Sequence, residues 1–211
     1  MFSIIIPTFN NLDYLKILID SIKKNSSLNH EIIVHINEGS DGTLDYIKDK
    51  NFTYTYTEKN VGLCSATNMA AKKASTSYIL YTHDDMYFCP GWDVALNKEL
   101  NQLDTKAFYI SGTMIEKYSG HIQIDCGNDH KDFDEVKLLR NFDKIKYFNY
   151  QGSHWAPHLI HKEYWDKVGG FSDEFNPGIG SDPDLNMKLW TAGVRIFKGI
   201  STFRVYHFGS I

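Results

Sequence analysis

The chain opens with Ser3-Ile4-Ile5-Ile6-Pro7-Thr8-Phe9-Asn10, and Leu12, Leu15, Ile19 and Ile22 follow at helical spacing until Asn25-Ser26-Ser27 breaks the pattern. A short β-branched run over Ser3–Pro7 followed at once by an amphipathic period is one strand–helix unit. The unit then repeats. Glu31–Ile36 is a second apolar run, closed by the turn-rich Glu38-Gly39-Ser40-Asp41-Gly42-Thr43 and followed by a short helix through Tyr46 and Ile47. Phe52–Thr57 alternates as a strand, Val61–Ala74 carries a helical pattern, and Tyr78–Thr82 is the next strand. Such repetition predicts an α/β fold, a mostly parallel sheet covered by helices on both faces. Ligands of open sheets bind beyond the carboxyl ends of the strands, so the loops after Ile6, Ile36, Thr57 and Thr82 are expected on one rim.

Farther along, Trp92, Leu96, Glu99, Leu100 and Leu103 fit another helix and Ala107–Ile115 a strand, while Glu116–Phe148 has no clean period. Leu185 and Leu189 mark a late helix stopped by Gly193, and Val194–Phe197 and Phe203–Tyr206 read as two closing strands. The 211 residues suit one domain, and 42% hydrophobic with 23% charged residues excludes a disordered or fibrous chain. A formal charge of −4 gives no bulk attraction for nucleic acid or an anionic membrane. No run approaches the ~18 apolar residues of a membrane span. Cys64, Cys89 and Cys126 have no paired spacing and read as reduced thiols of a cytoplasmic protein.

Three clusters carry chemistry. His83-Asp84-Asp85 stands at a strand's carboxyl end, where carboxylate oxygens suit Mg²⁺ or Mn²⁺; two acids there can equally cap a turn. Asp182-Pro183-Asp184-Leu185 reads as a helix start with Asp182 at the N-cap, Pro183 first in the helix and Asp184 facing the dipole. Capping does not account for the approach through Gly169-Gly170-Phe171 and Gly178-Ile179-Gly180, whose glycines let the backbone turn closely around something. His207 closes the last strand, and a single histidine there is more often an ordinary surface or core group than a ligand. His154, His158 and His161 are spaced as zinc ligands on one helical face would be, but Pro157 interrupts them and no cysteine pair accompanies them. No P-loop, G-x-G-x-x-G or G-x-S-x-G motif is present.

Taken in order, Ser3–Asn10, Glu31–Thr43, Asn60-Val61-Gly62 with Ala66-Thr67-Asn68, Tyr78–Asp85, Gly169–Phe175 and Ser181–Leu185 resemble the nucleotide-sugar-dependent glycosyltransferases of the GT-A fold, close to family 2. The resemblance spans nearly the whole chain. It implies a nucleotide-sugar-binding half over 1–105 and an acceptor and catalytic-base half over 106–211. It places the nucleoside on Pro7, Thr8 and Asn10 and on Asn37-Glu38, with Asn60, Asn68, His83 and Asp84 also on the donor side. Asn37 and Glu38 stand where the family usually has two aspartates, and an amide can pair with a uracil edge through one donor and one acceptor. The family's Asp-x-Asp metal motif falls on His83-Asp84-Asp85, so Asp85 and His207 are the implied ligands for Mn²⁺ or Mg²⁺. Thr67 replaces an arginine common in the third block, which shifts neutralisation of the diphosphate onto the metal.

The implied reaction moves a hexose or deoxyhexose, of glucose or rhamnose type, from a UDP-sugar to a glycan or glycoprotein hydroxyl. Asp182 matches the family's base, and a base opposite the leaving group implies inversion. Trp155, His154 and Asp184 are the expected acceptor contacts, with Tyr118, Tyr147 and Tyr150 of the irregular second half also able to stack on sugar faces or donate hydrogen bonds. A glycan-binding module, a transferase-like domain without turnover and a sugar nucleotidyltransferase are the alternatives. A chain this short can also be the donor-binding part of a longer polypeptide.

Overall fold

β1 (Ser3–Phe9) is buried from Ser3 through Thr8, as an unbroken isoleucine run requires when helices cover both faces of a parallel strand. The computed structural model describes residues 1–152 and 155–209. α1 (Leu12–Asn25) lays Leu15, Leu18, Ile19 and Ile22 against the sheet, the stripe that its 3.6-residue period foretells. β2 (Glu31–Asn37), α2 (Thr43–Asp49), β3 (Thr53–Thr57), α3 (Leu63–Ala71) and β4 (Tyr78–Tyr81) continue the alternation. β2 and β4 flank β1 in parallel and β3 extends from β2. Asp41 ties two helix starts together: its Oδ2 accepts from Leu12 N at 2.8 Å and its Oδ1 from Thr43 N and Oγ1, so one carboxylate serves otherwise unpaired first-turn amides of α1 and α2.

The second half holds β5 (Met86–Phe88), α4 (Trp92–Leu100), β6 (Phe108–Glu116), β7 (Ile122–Gln123), α5 (Glu135–Asn141), β8 (Tyr150–Gln151), β9 (His158–His161), α6 (Lys162–Val168), a 3-10 turn at Asp173–Phe175, α7 (Ser181–Thr191) and β10 (Ile196–His207). The strands order as β3-β2-β1-β4-β9-β6-β10-β5, with β7 beside β6 and β8 beside β10. β9 runs antiparallel between β4 and β6 and so carries one sheet through both halves. The main core includes the isoleucines of β1 and, in the second half, Trp92, Phe88 and Phe203; a smaller one around Cys126, Ile122 and Leu138 lies under the stretch that lacks periodicity. All three cysteines are free and buried. Among the described residues no helix is long and apolar enough to cross a membrane.

The structure corrects four expectations. The two closing strands are one strand, β10, whose register against β6 jumps from Gly199 opposite Ser111 to Arg204 opposite Thr113, leaving three extra residues on β10. Thr113 Oγ1 donates to Ile200 O, and the Arg204 guanidinium donates to carbonyls of Ser201, Phe142 and Ile145, which pins the insert. The histidine series is not helical: His158 is buried in β9 with Nδ1 against Tyr109 Oη at 2.9 Å, and His161 caps α6 by accepting from Glu163 N. The third helix starts at Leu63 rather than Val61 and ends at Ala71, and α7 starts at Ser181 with Gly180 at its N-cap, which places Asp182 inside the first turn.

Candidate functional site

The loops after β1, β2, β3 and β4 do share one rim. They border a cleft of about 690 Å³ lined by Pro7, Thr8, Asn10, Asn37, Asn60, His83, Asp84, Asp85 and His207, and also by Asn11, Leu63 and Pro177, which the sequence did not single out. Asn10 and Glu38 both adopt left-handed backbone, φ 47° and 62°, and such turns in non-glycine residues cluster at binding sites. Asn10 Oδ1 accepts from Ser40 N at 2.9 Å and its Nδ2 lies 3.4 Å from Glu38 Oε2, so the first two loops brace each other. The Asn37 side-chain Oδ1 accepts from Thr57 Oγ1 and Val61 N. Both lone pairs of the oxygen expected to meet a uracil edge are thus engaged by protein in this structure, while Asn37 itself lines the cleft.

The acidic turn splits into two roles. Asp84 faces the first loop, accepting from Thr8 Oγ1 at 2.6 Å and Asn11 Nδ2 at 3.1 Å, and burial pushes its carboxyl up to about 7 against those bonds. His83, Asp85 and His207 face one another, with one ligand atom from each within 4.8 Å of the others. Two imidazoles and a carboxylate suit a first-row transition ion, which accepts imidazole nitrogen, better than Mg²⁺, which prefers oxygen alone. His83 therefore joins Asp85 and His207 in the group that could hold a metal ion, besides lining the cleft. Burial pulls the His83 imidazole down to about 4, a neutral form able to ligate. Burial also opposes charge on His207, yet hydrogen bonds to Asp85 and Glu116 outweigh it and raise that imidazole to about 9. Phe208 N donates to Asp85 O at 3.0 Å, tying the end of β10 to the acidic turn.

Asp182 does not line the cleft. Its neighbour Ser181 stands beside the Cys64 thiol, next to the cleft residue Leu63, and the Asp182 charge is felt by Tyr81 and Tyr109. Its Oδ1 is shielded from solvent and has no hydrogen-bond partner among the described residues, so the N-cap role expected of it does not hold. Desolvation pushes this carboxyl up to about 7. A carboxyl raised on folding favours the fold while protonated, and that advantage is lost as pH climbs from the ordinary aspartate range through 7. Asp182→Asn is therefore expected to melt a few degrees higher than wild type at pH 8 and no higher at pH 4, as scanning calorimetry reads.

α7 also borders a groove of about 630 Å³ lined by Pro183, Asn186, Met187 and Trp190 with Tyr150, Ile196 and Phe197 of the neighbouring strands. Pro183, Met187 and Trp190 share a helical face at i, i+4, i+7, a period present in the sequence but not read there. Trp190 is half-exposed and carries the Arg195 guanidinium 4.0 Å from its ring centroid.

Other expected site residues serve the framework. Asn68 lies outside the cleft: its Nδ2 donates to Phe171 O at 2.8 Å and its Oδ1 accepts from Phe171 N at 2.9 Å. Asp184 turns to Ser172, whose Oγ donates to it at 2.6 Å. What the glycine-rich approach wraps is α3. Asn176 Oδ1 accepts from Cys64 N and Pro177 O from Leu63 N, capping that helix from the second half. At Gly170, φ 67°, an added Cβ would stand 2.2 Å from Asn68 Oδ1. Gly170→Ala is expected to cost about 1–3 kcal/mol, a fall of about 2–12 °C in Tm for a chain of this size. Trp155 is half-exposed on the loop after β8, and His154 lies outside the described residues.

Residues 3–161 match the model of the family described as glycosyl transferase family 2. An uncharacterized glycosyltransferase of Rickettsia bellii is 36% identical over 121 residues, 54% of this chain and 17% of that protein. The O-antigen biosynthesis protein RfbC of Myxococcus xanthus is 22% identical over 226 residues, covering 97% of this chain and again 17% of the relative. This chain thus spans a small part of either curated relative. Among solved structures, S. aureus TarS 1–349 superposes with a TM-score of 0.74 at 16% identity, over 98% of this chain and 60% of that one. GalNAc-T7 with UDP, GalNAc and Mn²⁺ gives 0.73 at 16% identity, over 98% and 43%. These likenesses agree with the α/β architecture described above, a central, mostly parallel sheet of the GT-A type. Because the family model runs from β1 through β9, the chain belongs to glycosyl transferase family 2.

Proposed function

We propose that this domain transfers a hexose or deoxyhexose from a UDP-sugar to a glycan hydroxyl, with inversion at the anomeric carbon and with a divalent cation held by His83, Asp85 and His207. The observation that carries the reading is the shielded, unpaired Asp182 Oδ1 on a helix that touches the donor-cleft wall through Ser181 and the apolar groove through Pro183 and Asn186. Asp182 accepts the proton of the acceptor hydroxyl, that oxygen bonds to the anomeric carbon, and the bond to the diphosphate breaks with its electron pair on the departing UDP. The bound cation supplies Lewis-acid stabilisation of the charge growing on that diphosphate. A carboxyl titrating near 7 is well matched to base work at neutral pH. The UDP and UDP-GlcNAc complexes of TarS and the UDP and Mn²⁺ of GalNAc-T7 are consistent with this donor and ion.

The glycan acceptor is assigned to the groove, where the exposed Trp190 ring offers an apolar face to sugar C–H groups beside the Asn186 amide. Trp190→Ala is expected to raise the acceptor KM about 3–10-fold with the donor KM unchanged, the weight of one stacked ring. The deciding experiment follows UDP release from UDP-glucose and related donors with Mn²⁺, with and without oligosaccharide. Release that needs the ion and accelerates with acceptor supports the transferase. Oligosaccharide binding that needs neither nucleotide nor ion points to a glycan-binding module, and pyrophosphate chemistry to a nucleotidyltransferase.

A further inference from the structure

We propose that Glu116 is a positioning residue for the metal site, fixing His207 so that its Nε2 faces Asp85 and His83; this rests on the metal reading above. His207 Nδ1 donates to Glu116 Oε1 at 2.6 Å, while Nε2 lies 3.4 Å from Asp85 Oδ1. The two ring nitrogens thereby take different roles: Nδ1 keeps its hydrogen on Glu116, and Nε2, whose proton otherwise points to Asp85, would offer its lone pair to an ion that displaces that proton. Glu116 is held in turn, since Ser119 Oγ donates to its Oε2. Its side chain and that of His207 are only 16% and 17% exposed, so water weakens this charge-assisted bond little. The backbone makes the arrangement inevitable. Glu116 ends β6 and His207 ends β10, and the two strands run parallel with Tyr206 opposite Ile115, which brings the next residues abreast on one face. Glu116 itself is not among the three residues whose ligand atoms cluster within 4.8 Å, and both its oxygens are engaged. It acts through the histidine, raising the imidazole's strength as a donor and removing its freedom to turn.

The test is a titration of MnCl₂ with UDP present, with free Mn²⁺ read by electron paramagnetic resonance, on wild type, Glu116→Ala, Glu116→Gln, His207→Ala and the Glu116→Ala/His207→Ala double variant. Glu116→Ala is expected to bind Mn²⁺ about 10–100-fold more weakly. Glu116→Gln stays within a few-fold of wild type, because the amide oxygen still accepts from Nδ1–H. In the His207→Ala background, removing Glu116 costs nothing further, the signature of a residue that works only through the other. A residue needed merely for folding would not give that pattern, and circular dichroism of the metal-free variants checks their folding directly. Wild-type affinity in Glu116→Ala, or an equal loss with and without His207, overturns the inference while leaving the metal site standing. A wild-type protein that takes up no Mn²⁺ overturns the metal reading and this inference together.

Discussion

Asp182→Asn is expected to lower sugar transfer about 10²–10⁴-fold, the usual contribution of a positioned general base, while UDP and Mn²⁺ bind as in wild type. Asparagine keeps the shape of the side chain but cannot take the acceptor's proton. The same residue sets the pH profile. Asp182 titrates near 7 because its carboxyl is desolvated, and only the ionised form is a base, so wild-type kcat should fall about tenfold per pH unit below that point. The residual rate of the variant should lose this limb. Acceptor-saturated turnover against pH for both proteins is the measurement. A variant that turns over normally, or that retains the acid limb, removes Asp182 from the chemistry and leaves the unpaired Oδ1 without a role.

Asp85→Ala carries the second large effect. Its carboxylate is buried, faces both histidines of the cluster and is the only oxygen donor among the three, so its removal leaves two imidazoles and no carboxylate in the cluster to attract a cation. In wild type, UDP with Mn²⁺ at about a hundred times the dissociation constant should stabilise the fold by about 2.7 kcal/mol, or about 5–10 °C in Tm. In Asp85→Ala that increment should vanish. Asp84→Asn is the informative contrast. Its carboxylate serves Thr8 and Asn11 rather than the cluster, so it should weaken UDP through the loop after β1 and leave the dependence on Mn²⁺ in place. Equal behaviour of the two variants would mean that the division of labour within His83-Asp84-Asp85 is misassigned.

The first half of the fold was legible because local signals and tertiary environment agree there: buried parallel strands want continuous β-branched runs, and the helices between them need one apolar stripe. The rim followed from topology alone. Legibility failed where a residue's role depends on a distant partner. β9 is four residues long and bracketed by histidines, so nothing local announces it; His158 reads as polar until Tyr109 is found beside it. Asn68 and Asp184 carry family positions but hold the turn at Phe171 and Ser172, bonds across more than ten residues of chain that no period encodes. Glu116 lay at the boundary between a clean strand and an aperiodic stretch, and its importance arises only from the strand beside it. The apolar face of Pro183, Met187 and Trp190 is written in the spacing of α7, interleaved with the acids Asp182 and Asp184 at its start.

The insert between Gly199 and Arg204 reaches beyond the shape of a strand edge. If β10 kept the pairing of Gly199 with Ser111 without interruption, the residue opposite Glu116 would be Arg204. A permanent guanidinium would then sit where an imidazole now stands, neutralising Glu116 and repelling any divalent ion. Three additional residues carry Arg204 down to the carbonyls of Ser201, Phe142 and Ile145 and deliver His207 in its place. Because that number is odd, it also reverses which side of the sheet each later side chain faces. A local miscount in one strand thus selects which cation-related group the cleft receives, and loop length becomes a determinant of chemistry as much as sequence identity.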